Sequence, residues 1–492
     1  MRYNLFDEIE GNAARRGAGS GSGGDVAVIQ DGGLVPYSEL MGRAGGLRRF
    51  FGGLYPAPRP RVALVGPDSA GYVASALGLI GSDGVFVSAG KEIGRDDFES
   101  LLLGMSADVA VLGESHAERL KPADFAEAAA YSAFGETFRV FLRGGASPDF
   151  PDEEEFNSLN PAFVRFTSGT TGDSKGVVLS HETIRDRTEA ANAAFSLSSG
   201  DRVLWLMPMA HHFAATINLF LRVGCALDIS NDLPPAEAAA KLRSGGHALV
   251  YATPWRYREM AKADSGAADE LPPSVRSLVS TAMALSEETA AMFKERFGRY
   301  PNQAYGIIEC GIPCVNMDPE RWGACSVGTP SGGHEISLDD DGGEGHGEIL
   351  LRGPGFFDAY LRPWRRRDRV LDRDWFRTGD LGEISEDGAL TIVGRSKSVI
   401  NFMGLKVFPE KVEAVLDALP GVRESRVLGE PHRSYGEIPV AEVVPENPGT
   451  PPDATDLLRA CSERLSSHEV PQDFKIVESI PKTPSGKVSR AL

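Results

Sequence analysis

The residues of this chain with the plainest chemical meaning lie in one loop, "FVRFTSGTTGDSKGVVLSH" at 163–181. Between two apolar runs stand Thr167, Ser168, Gly169, Thr170, Thr171 and Gly172, followed by Lys175. Hydroxyls and backbone N–H groups of such a loop can converge on phosphate oxygens, while the lysine adds a mobile cation. Two familiar phosphate loops fail here. In a Walker A loop, GxxxxGK[ST], counting from Gly169 puts Ser174 in place of the second glycine and Gly176 where the Mg²⁺-binding hydroxyl belongs. A kinase glycine-rich loop fails because GxGxxG, HRD and DFG are all missing. A Ser/Thr/Gly turn with no ligand is the bland alternative.

Other stretches complete a set. "YGIIE" (305–309) offers an aromatic ring, Tyr305, then Gly306 and, four residues after the ring, the carboxylate of Glu309. "WFRTGDLG" (375–382) sets Asp380 in a glycine-flanked turn, and "GRSKSVI" (394–400) and "PKTPSGK" (481–487) each put a cation in or beside a turn. A nucleotide needs a flat surface for its base, an acceptor for ribose hydroxyls, a carboxylate for Mg²⁺ and cations for phosphate. Any one of these segments alone is ordinary surface; the four together supply every part.

These loops need elements to hold them. "RVALVGPDSAGYVASALGLIGSDGVFVSAG" (61–90) reads strand, helix, strand, and the pattern recurs at "ADVAVL", "RVLWLMP", "HALVYATP" and "SLVSTA". Repeated βα units predict parallel sheets covered by helices. Near residue 335 the character shifts to short alternating strands with Gly and Asp turns, a small antiparallel sheet or barrel, with Asp339 to Asp341 as a solvated hairpin tip. Near Gly394 it shifts again, to a compact α+β module. The expected fold class is therefore α/β: an N-terminal domain over 1–394, of βα-layered sheets plus a β-barrel-like sheet, and a small C-terminal domain over 395–492. "GAGSGSGGD" formally matches GxGxxG at Gly19, Gly21 and Gly24, but no strand precedes it and no helix follows, so it reads as a surface loop.

Composition excludes whole classes. The 51 Lys and Arg against 69 Asp and Glu give a net charge of −18, unlike a protein whose affinity rests on neutralising nucleic-acid phosphates. The N-terminus has no signal-peptide core and no apolar run is long enough to span a membrane, so no stable membrane insertion and a cytoplasmic location are expected. Five cysteines, odd in number, do not form a disulfide framework, and Cys310 with Cys314 has no companion pair for zinc.

In this order, "FTSGTTGDSKGV", "YGIIE", "WFRTGDLG", "GRSK" and "PSGK" resemble the core motifs of the adenylate-forming superfamily, which includes acyl-CoA and aryl-CoA synthetases and nonribosomal adenylation domains. The resemblance runs from "VPYSEL" near residue 35 to Lys487. It implies an AMP-forming acid–thiol ligase that makes an acyl adenylate from ATP and a small carboxylic acid, then a thioester. By position, Thr167 through Lys175 hold the β- and γ-phosphates, Tyr305 lies against adenine, Glu309 binds Mg²⁺, and Asp380 with Arg395 takes the ribose. Lys487 bridges the carboxylate and the α-phosphate. The C-terminal domain is implied to rotate about a hinge at Lys397, exchanging the Lys487 face for the "NFMGLKV" loop with Gly404 and Lys406 on the thiol side.

Two departures stand out. Ile308 replaces the threonine of the usual YGxTE, a loss of roughly 0.5 to 1.5 kcal/mol if one hydrogen bond goes with it. "STAMALS" (280–286) stands where relatives have SGGAPLS, so Thr281 and Ala282 narrow the adjoining acyl pocket. "LMPMAHHFAATINLFLRVG" (206–224) has no carboxylate to pair with an α-ammonium, which favours a fatty or aryl acid without one. Of His211 and His212, one is expected on the acyl channel and the other in packing, with an apolar helix from Phe213 to Leu221 behind them and Trp255 near the same wall. The thiol is expected to be coenzyme A, or the phosphopantetheine of a free-standing acyl carrier protein. A ligand-binding protein on an inactive ligase scaffold is the alternative from another class.

Overall fold

Apolar runs such as Val62 to Val65 and Val109 to Leu112 have no polar face, and a strand of that kind is stable only with both faces covered. A computed structural model describes residues 2–17, 25–55, 59–145, 150, 152–166, 175–263, 270–340, 346–403, 405–433, 435–482 and 488–490. Among them the strand Arg61–Val65 is buried at every position. It lies at the centre of a sheet whose parallel members run in the order Pro161–Phe166, Val85–Ala89, Arg61–Val65 and Val109–Gly113, with antiparallel strands at both edges. A second large sheet places Asn302–Ile307, Ser277–Ser280, Leu249–Ala252, Arg202–Trp205, Ala226–Ile229 and Val26–Gln30 side by side and parallel.

Side chains alternate along the second sheet. Val203, Trp205, Leu249, Tyr251 and Val279 enter a core shared with the first sheet. Leu204, Val250 and Leu278 face a separate cluster under the helices Pro235–Ser244, Pro254–Ala263 and Glu287–Phe297. The period of two explains why these strands read as continuous apolar runs. The helix Ala70–Gly81 is buried along its whole length within the shared core. Gly78 permits this, since a Cβ there would stand 2.7 Å from Leu47 Cβ.

A third, antiparallel sheet orders Glu335–Asp339, Gly347–Arg352, Phe376–Ile384 and Leu390–Arg395. Beyond it, Val422–His432 and Gly436–Pro445 form a long antiparallel pair with the helices Pro409–Asp417 and Ala454–Arg464 packed on it around Val412, Leu416, Val443 and Leu457. Arg258 Nη1 donates to the Asp417 carbonyl at 3.2 Å, linking this module to the second large sheet's helices.

The strands and helices that carry candidate site residues are numbered here in chain order: β1 Pro161–Phe166, β2 Gly176–Ser180, β3 Arg202–Trp205, β4 Leu249–Ala252, β5 Ser277–Ser280, β6 Asn302–Ile307, β7 Phe376–Ile384 and β8 Leu390–Arg395, with α1 His181–Phe195. Local chemistry starts α1: the Ser180 hydroxyl accepts from Thr183 N at 3.1 Å.

The segment expected as one regular helix from Phe213 differs. It opens as a π-turn, Phe213–Ile217, before the α-helix Asn218–Val223. The His212 carbonyl accepts from both Thr216 N (2.9 Å) and Ile217 N (3.2 Å), and Asn218 Nδ2 satisfies the Phe213 carbonyl at 2.9 Å. Such single-turn bulges recur at functional sites.

Candidate active site

The sequence predicted a turn at Thr378–Asp380, but these residues lie within the strand β7, at an irregularity of its pairing that shows how sequence aims a side chain. Gly379 sits at φ +74°, a conformation glycine adopts without strain. Its N–H donates to Glu348 Oε1 at 3.0 Å, while the Thr378 hydroxyl donates to the Ile349 carbonyl (2.8 Å) and accepts from Asp380 N (3.1 Å). Asp380 is thereby held inward, 4% exposed.

Three candidate residues meet at that carboxylate. The Tyr305 hydroxyl, from β6, donates to Asp380 Oδ2 at 2.6 Å, and Arg395 Nε, from the end of β8, donates to Oδ1 at 2.9 Å. The β7–β8 register sets Arg395 directly across from Asp380. Burial first, and the neighbouring Asp380 charge second, push the Tyr305 hydroxyl well above its ordinary pKa, so it remains a donor. Beside the ring, Gly306 is exposed, and a Cβ there would stand 3.0 Å from the Gly311 carbonyl oxygen. This leaves an open face next to a fixed phenol, carboxylate and guanidinium.

A second group surrounds Glu309, which lies in the turn after β6. Its Oε1 accepts from the Tyr360 hydroxyl at 3.1 Å, and Lys175 Nζ, just before β2, lies 5.0 Å from the centre of the Tyr360 ring. Sequence reasoning missed Tyr360, because the pairing that brings it in, Tyr360 against Val177, joins residues far apart in the chain. It also missed Arg187. This buried α1 side chain donates to the Gly355 carbonyl (Nη2, 2.7 Å; Nε, 3.1 Å) and to the Ile308 carbonyl (Nη1, 3.0 Å). Burial without a carboxylate partner in contact pushes its guanidinium down to about 10. The signal was present: Arg187 falls on the buried helical stripe with Ile184 and Ala191.

The adjacent histidines enter different surroundings. His212 meets Trp205 and Tyr251 edge-on, at centroid separations of 5.6 and 5.9 Å. His211 Nε2 would lie 3.3 Å from a Cβ on Gly90, at the end of a first-sheet strand, and its carbonyl accepts from the Arg165 guanidinium of β1. Thr281 follows β5 and is buried; Ala282 is held at φ +72°, where a glycine would carry no steric cost. Trp255 is 57% exposed, and the interior aromatic side chains near this wall are instead Trp205 and Tyr251.

Lys397 is exposed in the single turn Ser396–Ser398, whose Ser396 hydroxyl donates to the Gly379 carbonyl at 3.1 Å. Lys406 is exposed in a hairpin, opposite Asn401. Thr167, Ser168, Gly169, Thr170, Thr171, Gly172, Gly404 and Lys487 lie outside the described residues, as do Gly19, Gly21, Gly24 and Asp341. Among the described residues no three ligating side chains converge. A single half-buried carboxylate, Glu309, fits Mg²⁺, which is commonly held by one or two carboxylates together with substrate phosphates and water.

Asp380→Asn is expected to weaken AMP binding about tenfold to a hundredfold, since the amide brings a donor to face two donors. Calorimetric titration with AMP checks this, and unchanged affinity would place the ribose elsewhere.

In fold the molecule is of the adenylate-forming class. It superposes on the o-succinylbenzoate CoA synthetase MenE from Bacillus subtilis, in complex with its acyl-adenylate intermediate, with a TM-score of 0.80 at 19% identity, covering 98% of this chain and 97% of that one. The profile of the AMP-binding enzyme family matches residues 16–361, and that of the AMP-binding enzyme C-terminal domain matches residues 411–487. The chain belongs to the AMP-binding enzyme family. Among its relatives, the feruloyl-CoA synthase of an Amycolatopsis species is 27% identical over 477 residues, 94% of each protein. The long-chain-fatty-acid–CoA ligase of Yersinia pestis is 29% identical over 378 residues, 72% of this chain but 64% of that protein. Among the described residues no helix is long and apolar enough to cross a membrane.

Proposed function

We propose that this protein is an ATP-dependent carboxylic acid–thiol ligase, acting on a fatty or aryl acid without an α-amino group and delivering the acyl group to coenzyme A. The observation that carries the reading is the Tyr305–Asp380–Arg395 cluster beside the open face at Gly306, a preformed seat for a ribonucleoside. Its relatives' names support acid–CoA chemistry.

In the first half-reaction a carboxylate oxygen attacks the α-phosphorus of ATP, and the bond to pyrophosphate breaks. Asp380 accepts the ribose hydroxyls, with Tyr305 and Arg395 fixing the carboxylate's direction. Lys175, with the Thr167–Gly172 loop, steers the departing pyrophosphate, and Lys487 stabilises charge gathering between carboxylate and α-phosphate. Magnesium at Glu309 supplies charge neutralisation on the phosphates when bound. Tyr360 and Arg187 hold Glu309 and its turn in place. In the second half-reaction the thiol sulfur attacks the acyl carbon and AMP leaves, with Lys397 as hinge and with Gly404 and Lys406 on the thiol side. A free-standing acyl carrier protein would present the same phosphopantetheine thiol.

Acid-dependent exchange of labelled pyrophosphate into ATP tests the first step. Exchange with at least one member of a panel of fatty, aromatic and short acids is expected. ATP binding without exchange across the panel would leave only a ligand-binding role on this scaffold.

A further inference from the structure

Five arginines and one aspartate fall within residues 362–369, "RPWRRRDR", of a chain whose net charge is −18. The stretch belongs to a hairpin, Ala359–Tyr360 against Arg365–Arg366, on the edge of the first sheet. Asp358 N donates to the Val178 carbonyl at 3.0 Å and Leu361 N to the Gly176 carbonyl at 2.6 Å, which fastens the hairpin to the start of β2, beside Lys175. Most of the arginines serve local structure. Arg362 donates to the Gly104 carbonyl (2.8 Å) and the Ser106 hydroxyl (2.7 Å), Arg366 pairs with Glu155 at 3.2 Å, and Arg367 donates to the Phe356 carbonyl at 3.0 Å. Arg365 differs. It is exposed, it donates to the Arg369 carbonyl at 2.9 Å, and among the described residues no carboxylate stands within ion-pair distance of it.

Register decides which way Arg365 faces. Arg165 of β1 pairs with Val177 of β2, Val177 with Tyr360, and Tyr360 with Arg365. Residues directly opposite on neighbouring strands share a face of the sheet, so these four form one row across four strands. Glu309 meets that row, since its Oε1 accepts from the Tyr360 hydroxyl at 3.1 Å. It is also the anion that sustains the Arg165 guanidinium, which burial pushes down to about 10. Burial and the Glu309 charge push the Tyr360 hydroxyl well up, and Arg365 is the cation that acts against them. Lys175 Nζ lies 5.0 Å from the centre of the same ring. One carboxylate thus stands among three cations, Arg165, Lys175 and Arg365, an excess of positive charge that suits a polyphosphate and focuses anions where the molecule as a whole repels them. Arg165 is turned inward, to the His211 carbonyl, and Arg365 is the open end of the row. Arg366, opposite Ala359, falls on the other face of the sheet.

We propose that Arg365 is a further phosphate-binding residue, which holds the β- and γ-phosphates of ATP and the pyrophosphate that leaves, from outside the glycine-rich loop. This rests on the ligase reading above. A planar guanidinium meets two phosphate oxygens at once, with a geometry an ammonium does not reproduce. Calorimetric titrations with pyrophosphate, Mg-ATP and AMP would compare the wild type with Arg365→Ala, Arg365→Lys and Arg366→Ala. Arg365→Ala is expected to weaken pyrophosphate and Mg-ATP binding about tenfold, the scale of one charge-assisted hydrogen bond. AMP, which lacks those two phosphates, should bind unchanged. Lysine should recover part of the loss. Arg366→Ala removes the same charge from the opposite face of the same strand and should leave all three affinities as they were. Arg365→Ala binding pyrophosphate as tightly as the wild type would overturn the proposal, and so would an equal loss in Arg366→Ala, which would mean a diffuse field and not a contact. If the wild type binds these ligands but no acid supports pyrophosphate exchange, the ligase reading fails, and the comparison of Arg365 with Arg366 still decides the phosphate contact. A wild type that binds neither Mg-ATP nor pyrophosphate overturns both.

Discussion

Lys487→Ala is expected to lower the rate of acyl-adenylate formation about a hundredfold to a thousandfold, the scale on which single groups aimed at developing transition-state charge act. Thioester formation from a supplied acyl adenylate should be nearly unchanged in the same variant. The asymmetry follows from the proposed division of labour. A lysine that bridges the carboxylate and the α-phosphate is needed only while those two groups are joining, and once the adenylate exists a thiol approaches its carbonyl by another face. Pyrophosphate exchange measures the first step, and AMP release from synthetic acyl adenylate plus coenzyme A measures the second. Equal losses in both would show that the two half-reactions share this group, contradicting a rearrangement between them.

Arg187→Leu is expected to destabilise the protein by about 3 kcal/mol or more. The guanidinium supplies charged donors to the carbonyls of Gly355 and Ile308, with Nη2 also 3.5 Å from the Glu309 carbonyl. Hydrogen bonds of that kind contribute about 1.5 to 3 kcal/mol each, and leucine leaves the carbonyls buried without donors. Arg187→Lys separates folding from function, because one ammonium cannot span the carbonyls a planar fork reaches. That variant should fold with a smaller loss yet show a raised KM for Mg-ATP, since the turn carrying Glu309 loses its brace. Urea titration gives the first quantity and initial rates at varied Mg-ATP the second. Leucine at wild-type stability would show that those carbonyls find other partners.

Much of the architecture was legible because it is written in local patterns. Apolar runs such as "VALV" and "RVLW" announce strands buried on both faces, and the parallel sheets place them so. "WFRTGDLG" was expected to set Asp380 in a turn, but Gly379 and Asp380 lie within a continuous strand, at an irregularity in its pairing where Gly379 takes φ +74°. What stayed hidden is long-range. Tyr360 reaches Glu309 through an edge strand whose partner cannot be read from one sequence. At the π-turn Phe213–Ile217 both the backbone N–H and the side-chain amide of Asn218 donate to the Phe213 carbonyl, a pairing that apolar periodicity does not announce. Trp205 and Tyr251 read as ordinary strand residues, and only the sheet order shows that they share a wall. Trp255, expected near the acyl wall, is exposed instead.

The Asp380 carboxylate carries a further consequence. An ionised carboxylate offers about four lone-pair positions, and the Tyr305 hydroxyl and the Arg395 guanidinium occupy one on each oxygen. With its charge already compensated, the empty protein has no bare buried anion to destabilise it. One position on each oxygen then remains for a ribose presenting two neighbouring hydroxyls. A 2′-deoxy sugar would fill only one of them. If Asp380 takes the ribose as proposed, the seat counts hydroxyl groups, and a preference for ribonucleotides over deoxyribonucleotides is expected from what Asp380 has already given away.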